Sequence, residues 1–324
     1  MTEKILTISV AAYNMERYIR ENLDSIVCIP DAAKIEVLVN DDGGTDRTSA
    51  IVGEYCNRFP GIIRLIHQPN GGYGTVQTNN ISQATGKYFK ILDGDDWMDS
   101  DGLGKLVRFL DGNDVDAVVT GYAKGPDREH LKESVPRQAG ILHPDELKTV
   151  LGMWSLTFKT SLLQSIRLDL PAHSLYTDRL YATAPFAAVA KVAVLPFSVY
   201  CYRTGRDGQS VSLESRLKHI DEYLEITRRI CRCAADAPGS RYVRFKAAWA
   251  YKVTVRALFL LPASRETRRK IVLYEKEIRE LAPAVFRLAA SPKTKMGRII
   301  TFLRWTAYIG YWPLAVLPKT WVRF

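Results

Sequence analysis

Four short apolar runs, each closed by a polar break and followed by a helix-patterned stretch, dominate the first 120 residues and leave few folds open. Ile5 to Ala12, Ile35 to Val39, Ile62 to Ile66 and Lys87 to Leu92 read as buried strands. Between them Met15, Ile19, Leu23 and Ile26 recur at helical spacing, and helices are predicted from Arg47 to Phe59 and from Thr75 to Ala84. Asn14 and Asp46 stand where helix caps belong. Val115 to Thr120 adds a further strand. Strand–helix alternation of this kind predicts an α/β fold, a mainly parallel sheet with helices on both faces. Right-handed crossovers then bring the strands' C-terminal ends to one rim, where open α/β sheets bind ligands.

Polar residues crowd that expected rim. Tyr13 follows the first strand, Asp41 and Asp42 the second, and Asp93-Gly94-Asp95-Asp96 the fourth. Three carboxylates in four positions repel one another unless a cation or hydrogen-bond donors offset the charge. Hard oxygen ligands in a small open turn suit Mg2+ or Mn2+, which fills its shell with water and phosphate oxygens. Read alone, the turn fits a solvated acidic loop as well. A calcium loop is excluded, because Trp97 occupies the third ligand position and no glycine follows.

The remainder is less regular. Gly140 to Phe197 mixes short helices and loops, Leu195 to Tyr202 reads as a strand, and a polar loop runs from Arg203 to Ser212. From Arg216 the pattern is helical, with breaks at Ala237-Pro238-Gly239-Ser240 and Leu261-Pro262-Ala263-Ser264. Of the formal net charge of +10, this last part carries about +15, leaving about −5 on residues 1–215. A basic extension joined to an acidic front predicts an anionic partner for the extension. Trp305 to Pro318 is uncharged, too short to span a bilayer, and flanked by Arg304 and Lys319. Its aromatics, Trp305, Tyr308, Tyr311 and Trp312, with Trp321 beyond, suit a helix in an anionic membrane interface; packing on its own domain is the alternative. Five cysteines form no disulfide or zinc framework, and no signal peptide is read at the N-terminus, so a cytoplasmic location on the inner membrane face is expected.

The segments TISVAAYNMERYIRENLDSI, IEVLVNDDGGTDRTSAIV and NGGYGTVQTNNISQATGKYFKILDGDDW, in this order, resemble family 2 of the glycosyltransferases. These are inverting enzymes with the GT-A, Rossmann-type nucleotide-sugar fold, and the bacterial capsule, exopolysaccharide and cell-wall enzymes are the most similar. The resemblance covers residues 5–215. It implies a catalytic domain over 1–215, with nucleotide-sugar binding in 1–120 and the acceptor and base region in 121–215, and a basic helical extension over 216–324. It implies that Tyr13, Asn14 and Asp41 hold the base of a UDP-sugar, with Asn70 and Gly72 near base and ribose. Asp93, Gly94, Asp95 and Asp96 match the metal and ribose motif, with Asp95 the favoured ligand of Mg2+ or Mn2+. Asp178, in SLYTDRLYATAPF, matches the general base, although it also fits a helix N-cap. Arg203, Arg206, Gln209 and Ser210 match a loop that closes over the diphosphate. Two departures stand out: Ala11 and Ala12 replace the usual proline, and Thr78 replaces an asparagine. The expected acceptor is a glycan or polyprenyl-diphosphate-linked hydroxyl. A nucleotidyltransferase would want a Gly-rich basic loop after the first strand, which VAAYNMERY is not, and no nucleic-acid motif appears. A non-catalytic glycan- or nucleotide-binding module is the remaining alternative.

Overall fold

The computed structural model describes residues 3–168, 170–205 and 213–316, and the chain divides into compact units at 1–207 and 208–324. In the first unit the elements are β1 (Leu6–Ala12), α1 (Ile19–Val27), β2 (Ile35–Asp41), α2 (Thr48–Arg58), β3 (Ile63–His67), α3 (Tyr73–Gln83), β4 (Tyr88–Asp93), β5 (Trp97–Met98) and α4 (Ser100–Gly112). They continue with β6 (Ala117–Gly125), β7 (Lys132–Ser134), β8 (Gly140–Leu142), β9 (Leu156–Lys159), α5 (Thr160–Ser165), α6 (Thr177–Tyr181) and β10 (Val192–Arg203).

One sheet runs β3-β2-β1-β4-β9-β6-β10-β5. Strands β1 to β4 pair in parallel, with Ala12 opposite Asp41, Asp41 opposite His67 and Ala11 opposite Asp93. These strand ends therefore share one rim, as the sequence pattern predicts. Strand β9 is antiparallel to both β4 and β6, and β6 is parallel to β10, so β10 also ends on that rim. The buried runs explain the arrangement: β2 is covered along its whole length, as befits a strand with helices on both faces. Two expectations need correcting. Strand β10 reaches Arg203, so that residue is a strand end and not a loop residue. Helix α1 begins at Ile19, with Tyr18 at its cap position, so Asn14 does not cap it.

The second unit is helical: α7 (Leu213–Lys218), α8 (Ile220–Asp236), α9 (Arg241–Leu258), α10 (Arg265–Leu281), α11 (Pro283–Ala289), α12 (Lys295–Trp305) and α13 (Tyr311–Val316). Ser240 and Ser264 cap α9 and α10 where the sequence breaks fall. The described part of the tail, up to residue 316, packs into this bundle. Glu275, 2% exposed, accepts from Arg304 Nε at 2.7 Å and from the Tyr308 hydroxyl at 2.9 Å, and Tyr311 is buried.

Candidate functional site

The rim is held together by a chain of hydrogen bonds that starts at the second strand. Asp42, nearly fully buried, accepts from Gln68 Nε2 (2.7 Å) and from the backbone amides of Gly71 and Gly72 (both 2.8 Å). Asn70 Nδ2 donates to the Asp42 carbonyl at 3.0 Å. One residue thus fixes the whole Asn70–Gly72 loop, by its carboxylate at Gly71 and Gly72 and by its carbonyl at Asn70. Asp41 turns to its own loop: it accepts from the Gly44 amide at 2.9 Å and from the Ser49 hydroxyl. Asn14, in the left-handed region (φ 55°), accepts from the amides of Thr45 (2.9 Å) and Asp46 (3.3 Å), tying the end of β1 to the loop after β2. Tyr13 stands 49% exposed beside it. A cleft of about 620 Å3 opens here, lined by Asn14, Arg17, Tyr18, Asp46 and Gly205 among others.

The Asn70–Gly72 loop carries two further contacts. Gly72 has φ 82°, and a Cβ there would stand 2.8 Å from the His173 amide nitrogen, so only glycine fits. His173 donates its amide to the Gly71 carbonyl at 2.8 Å, which docks the segment leading to Asp178. The next residue, Tyr73, donates its hydroxyl to Asp93 Oδ1 at 2.8 Å. Burial pushes the Tyr73 hydroxyl well above its ordinary pKa, and the charges of Asp93 and then Asp178 add to this.

At the end of β4 the three carboxylates have different surroundings. Asp96 is 2% exposed; it accepts from the Tyr200 hydroxyl (2.5 Å) and the Arg203 amide (2.7 Å). Burial, with the charges of Asp93 and Asp95, raises its carboxyl well above the usual range. The sequence reading set Asp96 among the metal ligands; the structure turns it inward, because two donors compensate its burial there. Asp93 and Asp95 are partly exposed on the rim. Gly94 lies so close to β1 that a Cβ would sit 2.7 Å from the Ala11 carbonyl. Two hard carboxylates on an open turn fit Mg2+ or Mn2+, whose shell water and phosphate oxygens complete. Among the described residues no three His, Cys, Asp or Glu side chains gather into a closed cage.

Arg203 braces this turn. Its Nε donates to the Asp95 carbonyl at 2.8 Å, its guanidinium pairs with Glu21 at 2.5 Å, and it stacks 4.5 Å from the centroid of the Trp97 ring. Its fork is thus engaged by the Asp95 and Pro126 carbonyls and by Glu21. Arg206, Gln209 and Ser210 lie outside the described residues.

Asp178 sits in the first turn of α6, two residues after Tyr176, which adopts φ 65°. Backbone strain in a bulky residue marks a position fixed by its surroundings. Helix α6 packs against α3, whose first residue is Tyr73, and Tyr202 feels the charges of the acidic turn and of Asp178. Burial pushes its hydroxyl up to about 12, and Asp96, Asp93, Asp95 and Asp178 all contribute. The sequence reading noted Asp42 only as a rim residue without a role and passed over Tyr73 and Tyr202. A second carboxylate beside Asp41, ahead of two glycines, was the one available signal.

The Glycosyl transferase family 2 model matches residues 7–171, half of the chain, and ends short of Asp178. EpsJ of Bacillus subtilis, described as an uncharacterized glycosyltransferase, is 27% identical over 214 residues, 61% of each chain. TarS of Staphylococcus aureus, a poly(ribitol-phosphate) beta-N-acetylglucosaminyltransferase, is 25% identical over 230 residues, 69% of this chain and 39% of TarS. The chain thus spans less than two thirds of the length of either relative. In structure, an S. aureus TarS chain in complex with UDP superposes with a TM-score of 0.74 at 19% identity, over 95% of this chain and 89% of that one. The mannosyltransferase PcManGT of Pyrobaculum calidifontis, in complex with GDP-Man and Mn2+, gives 0.51 at 17% identity, over 100% and 89%. These likenesses carry the fold, the family model carries the membership, and the chain belongs to glycosyl transferase family 2.

Proposed function

We propose that the chain is an inverting glycosyltransferase that moves a sugar from a UDP-sugar to a hydroxyl of a glycan or polyprenyl-diphosphate-linked acceptor. The observation that carries this is the packing of α6, which bears Asp178, against α3, whose first residue Tyr73 donates to Asp93, beside a rim holding Tyr13, Asp41 and the Asn70–Gly72 loop. Asp178 takes the proton of the acceptor hydroxyl. That oxygen bonds to the anomeric carbon on the face opposite UDP as the bond to the diphosphate breaks, so an α-linked donor gives a β-glycoside. Asp41, whose oxygens keep second lone pairs, accepts an N–H of the uracil, and Tyr13 lies against the ring. Asp93 and Asp95 would hold Mg2+ or Mn2+, which supplies positive charge to the leaving diphosphate. Arg206 is a candidate for the same diphosphate on sequence alone. UDP in the TarS complex and Mn2+ in the PcManGT complex support donor and metal class.

Calorimetry with UDP and Mn2+ beside a transfer assay separates the roles. Asp178→Asn is expected to bind UDP as the parent does and to lose transfer by ~10³-fold or more, the scale of a general base. Asp95→Ala is expected to lose the metal-dependent part of UDP binding. Full turnover in Asp178→Asn would remove Asp178 from the mechanism. The tail is further proposed to rest on an anionic membrane surface, as expected on the inner face.

A further inference from the structure

A short turn at Met153–Ser155 has no role in the scheme above, yet four elements pack against it. It packs against α6, which bears Asp178, and against β4, β6 and β10. Lys90, wholly buried in β4, reaches up to it: Nζ donates to the carbonyls of Trp154 (2.8 Å) and Leu156 (3.3 Å). The backbone under Trp154 is therefore pinned to the strand that ends in Asp93. Gly152 lies against the indole so closely that a Cβ would sit 2.4 Å from Cζ2. The indole itself is partly exposed. Tyr122 and Tyr202, also partly exposed, flank it with ring centroids at 5.4 and 5.8 Å. Burial raises the Tyr202 hydroxyl, and the charges of Asp96, Asp93, Asp95 and Asp178 add to this.

We infer that Trp154, flanked by Tyr122 and Tyr202, is the platform on which a pyranose ring of the acceptor stacks beside Asp178. This deepens the glycosyltransferase reading and rests on it. A pyranose has an apolar face of C–H groups and a polar rim of hydroxyls. Fixed aromatic rings take the first, and neighbouring carboxylates take the second. A lipid chain would use the rings and leave the carboxylates unanswered. The acceptor hydroxyl must come within hydrogen-bond reach of the base, and the Trp154 turn is in contact with the base helix. Rings held by a buried lysine and close packing lose little entropy on binding.

The chain has six tryptophans, so 5-fluorotryptophan labelling with Trp154→Phe as the assignment control gives a direct readout. With saturating UDP and Mn2+, methyl pyranosides of glucose, galactose and N-acetylglucosamine are titrated in. At least one is expected to move the Trp154 resonance saturably in the millimolar range, and Tyr122→Leu is expected to weaken that titration. Trp154→Leu is expected to raise the acceptor KM ~10-fold, about 1.4 kcal/mol, with UDP affinity within about twofold of the parent. Retained UDP binding shows that the variant is folded. A Trp154 resonance that UDP moves but no pyranoside does would overturn the inference, as would an unchanged acceptor KM in Trp154→Leu. A parent chain that binds no UDP would instead strike the donor reading.

Discussion

Asp41 and Asp42 are adjacent, and both are nearly fully buried, but they do unlike work. Asp41 closes its own turn, whereas Asp42 holds a loop some thirty residues away through three donors. Losing a carboxylate that satisfies three donors costs about 1–3 kcal/mol per group left unpaired, less where water enters. Asp42→Ala is therefore expected to lower stability by ~3 kcal/mol and to speed amide exchange at Gly71 and Gly72, read by urea denaturation and hydrogen exchange. Native protection of those two amides in the variant would contradict it. Lys90 invites a different measurement. Burial lowers its pKa from 10.5 to about 7. Between those values the unfolded chain holds a proton that the folded chain has shed, so stability rises with pH through this window. The slope is at most ~1.4 kcal/mol per pH unit. The stability of the parent relative to Lys90→Met should rise from pH 7 to pH 9. A flat difference would mean that the Trp154 and Leu156 carbonyls keep the ammonium charged.

Among elements, the parallel strands β1 to β4 were legible because each is a run of buried apolar residues ending at a polar break. Four-residue β9 and two-residue β5 were not, since nothing in LTFK or WM shows that it completes a sheet. The same limit applies to the site. Asp41, Asp93 and Asp178 could be picked out by pattern and resemblance. Tyr73 to Asp93, Lys90 to Trp154 and Gly72 to His173 are pairings made only by folding. Gly72 tests how far the loop governs the base segment. Gly72→Ala forces a Cβ toward the His173 amide at a positive φ, a cost of about 1–2 kcal/mol for the backbone alone. It is expected to displace residues 171–176 and to reduce transfer more than UDP affinity. The control is Gly53→Ala in α2, where the added Cβ meets nothing within 4 Å and helix propensity favours alanine. That change should raise stability by up to ~1 kcal/mol and leave transfer intact. Equal loss of transfer in both variants would show that the loop has no special hold on Asp178.

For the molecule as a whole, the charge divides where the fold does: the strongly basic residues belong to the helical unit, which also ends in an aromatic surface. The two expectations for the tail turn out to be compatible. Arg304, stacked on Phe286 and paired with Glu275, and the buried Tyr311 fix the tail to the bundle. Trp305 at 82% exposure and Ile309 at 69%, with Phe302 and Trp312 partly exposed, remain on the outside. No helix among the described residues is long and apolar enough to cross a membrane. Deleting the tail would remove Arg304 and Tyr311 from the bundle and confuse unfolding with release. Trp305→Ser with Ile309→Ser removes only exposed apolar surface. The parent is expected to co-sediment with vesicles containing anionic lipid, less so as salt is raised, because basic residues supply part of the attraction. The double variant should sediment several-fold less at equal salt while its thermal midpoint stays unchanged. Equal sedimentation of parent and variant would place the attraction in charge alone and leave Trp305 and Ile309 for another partner.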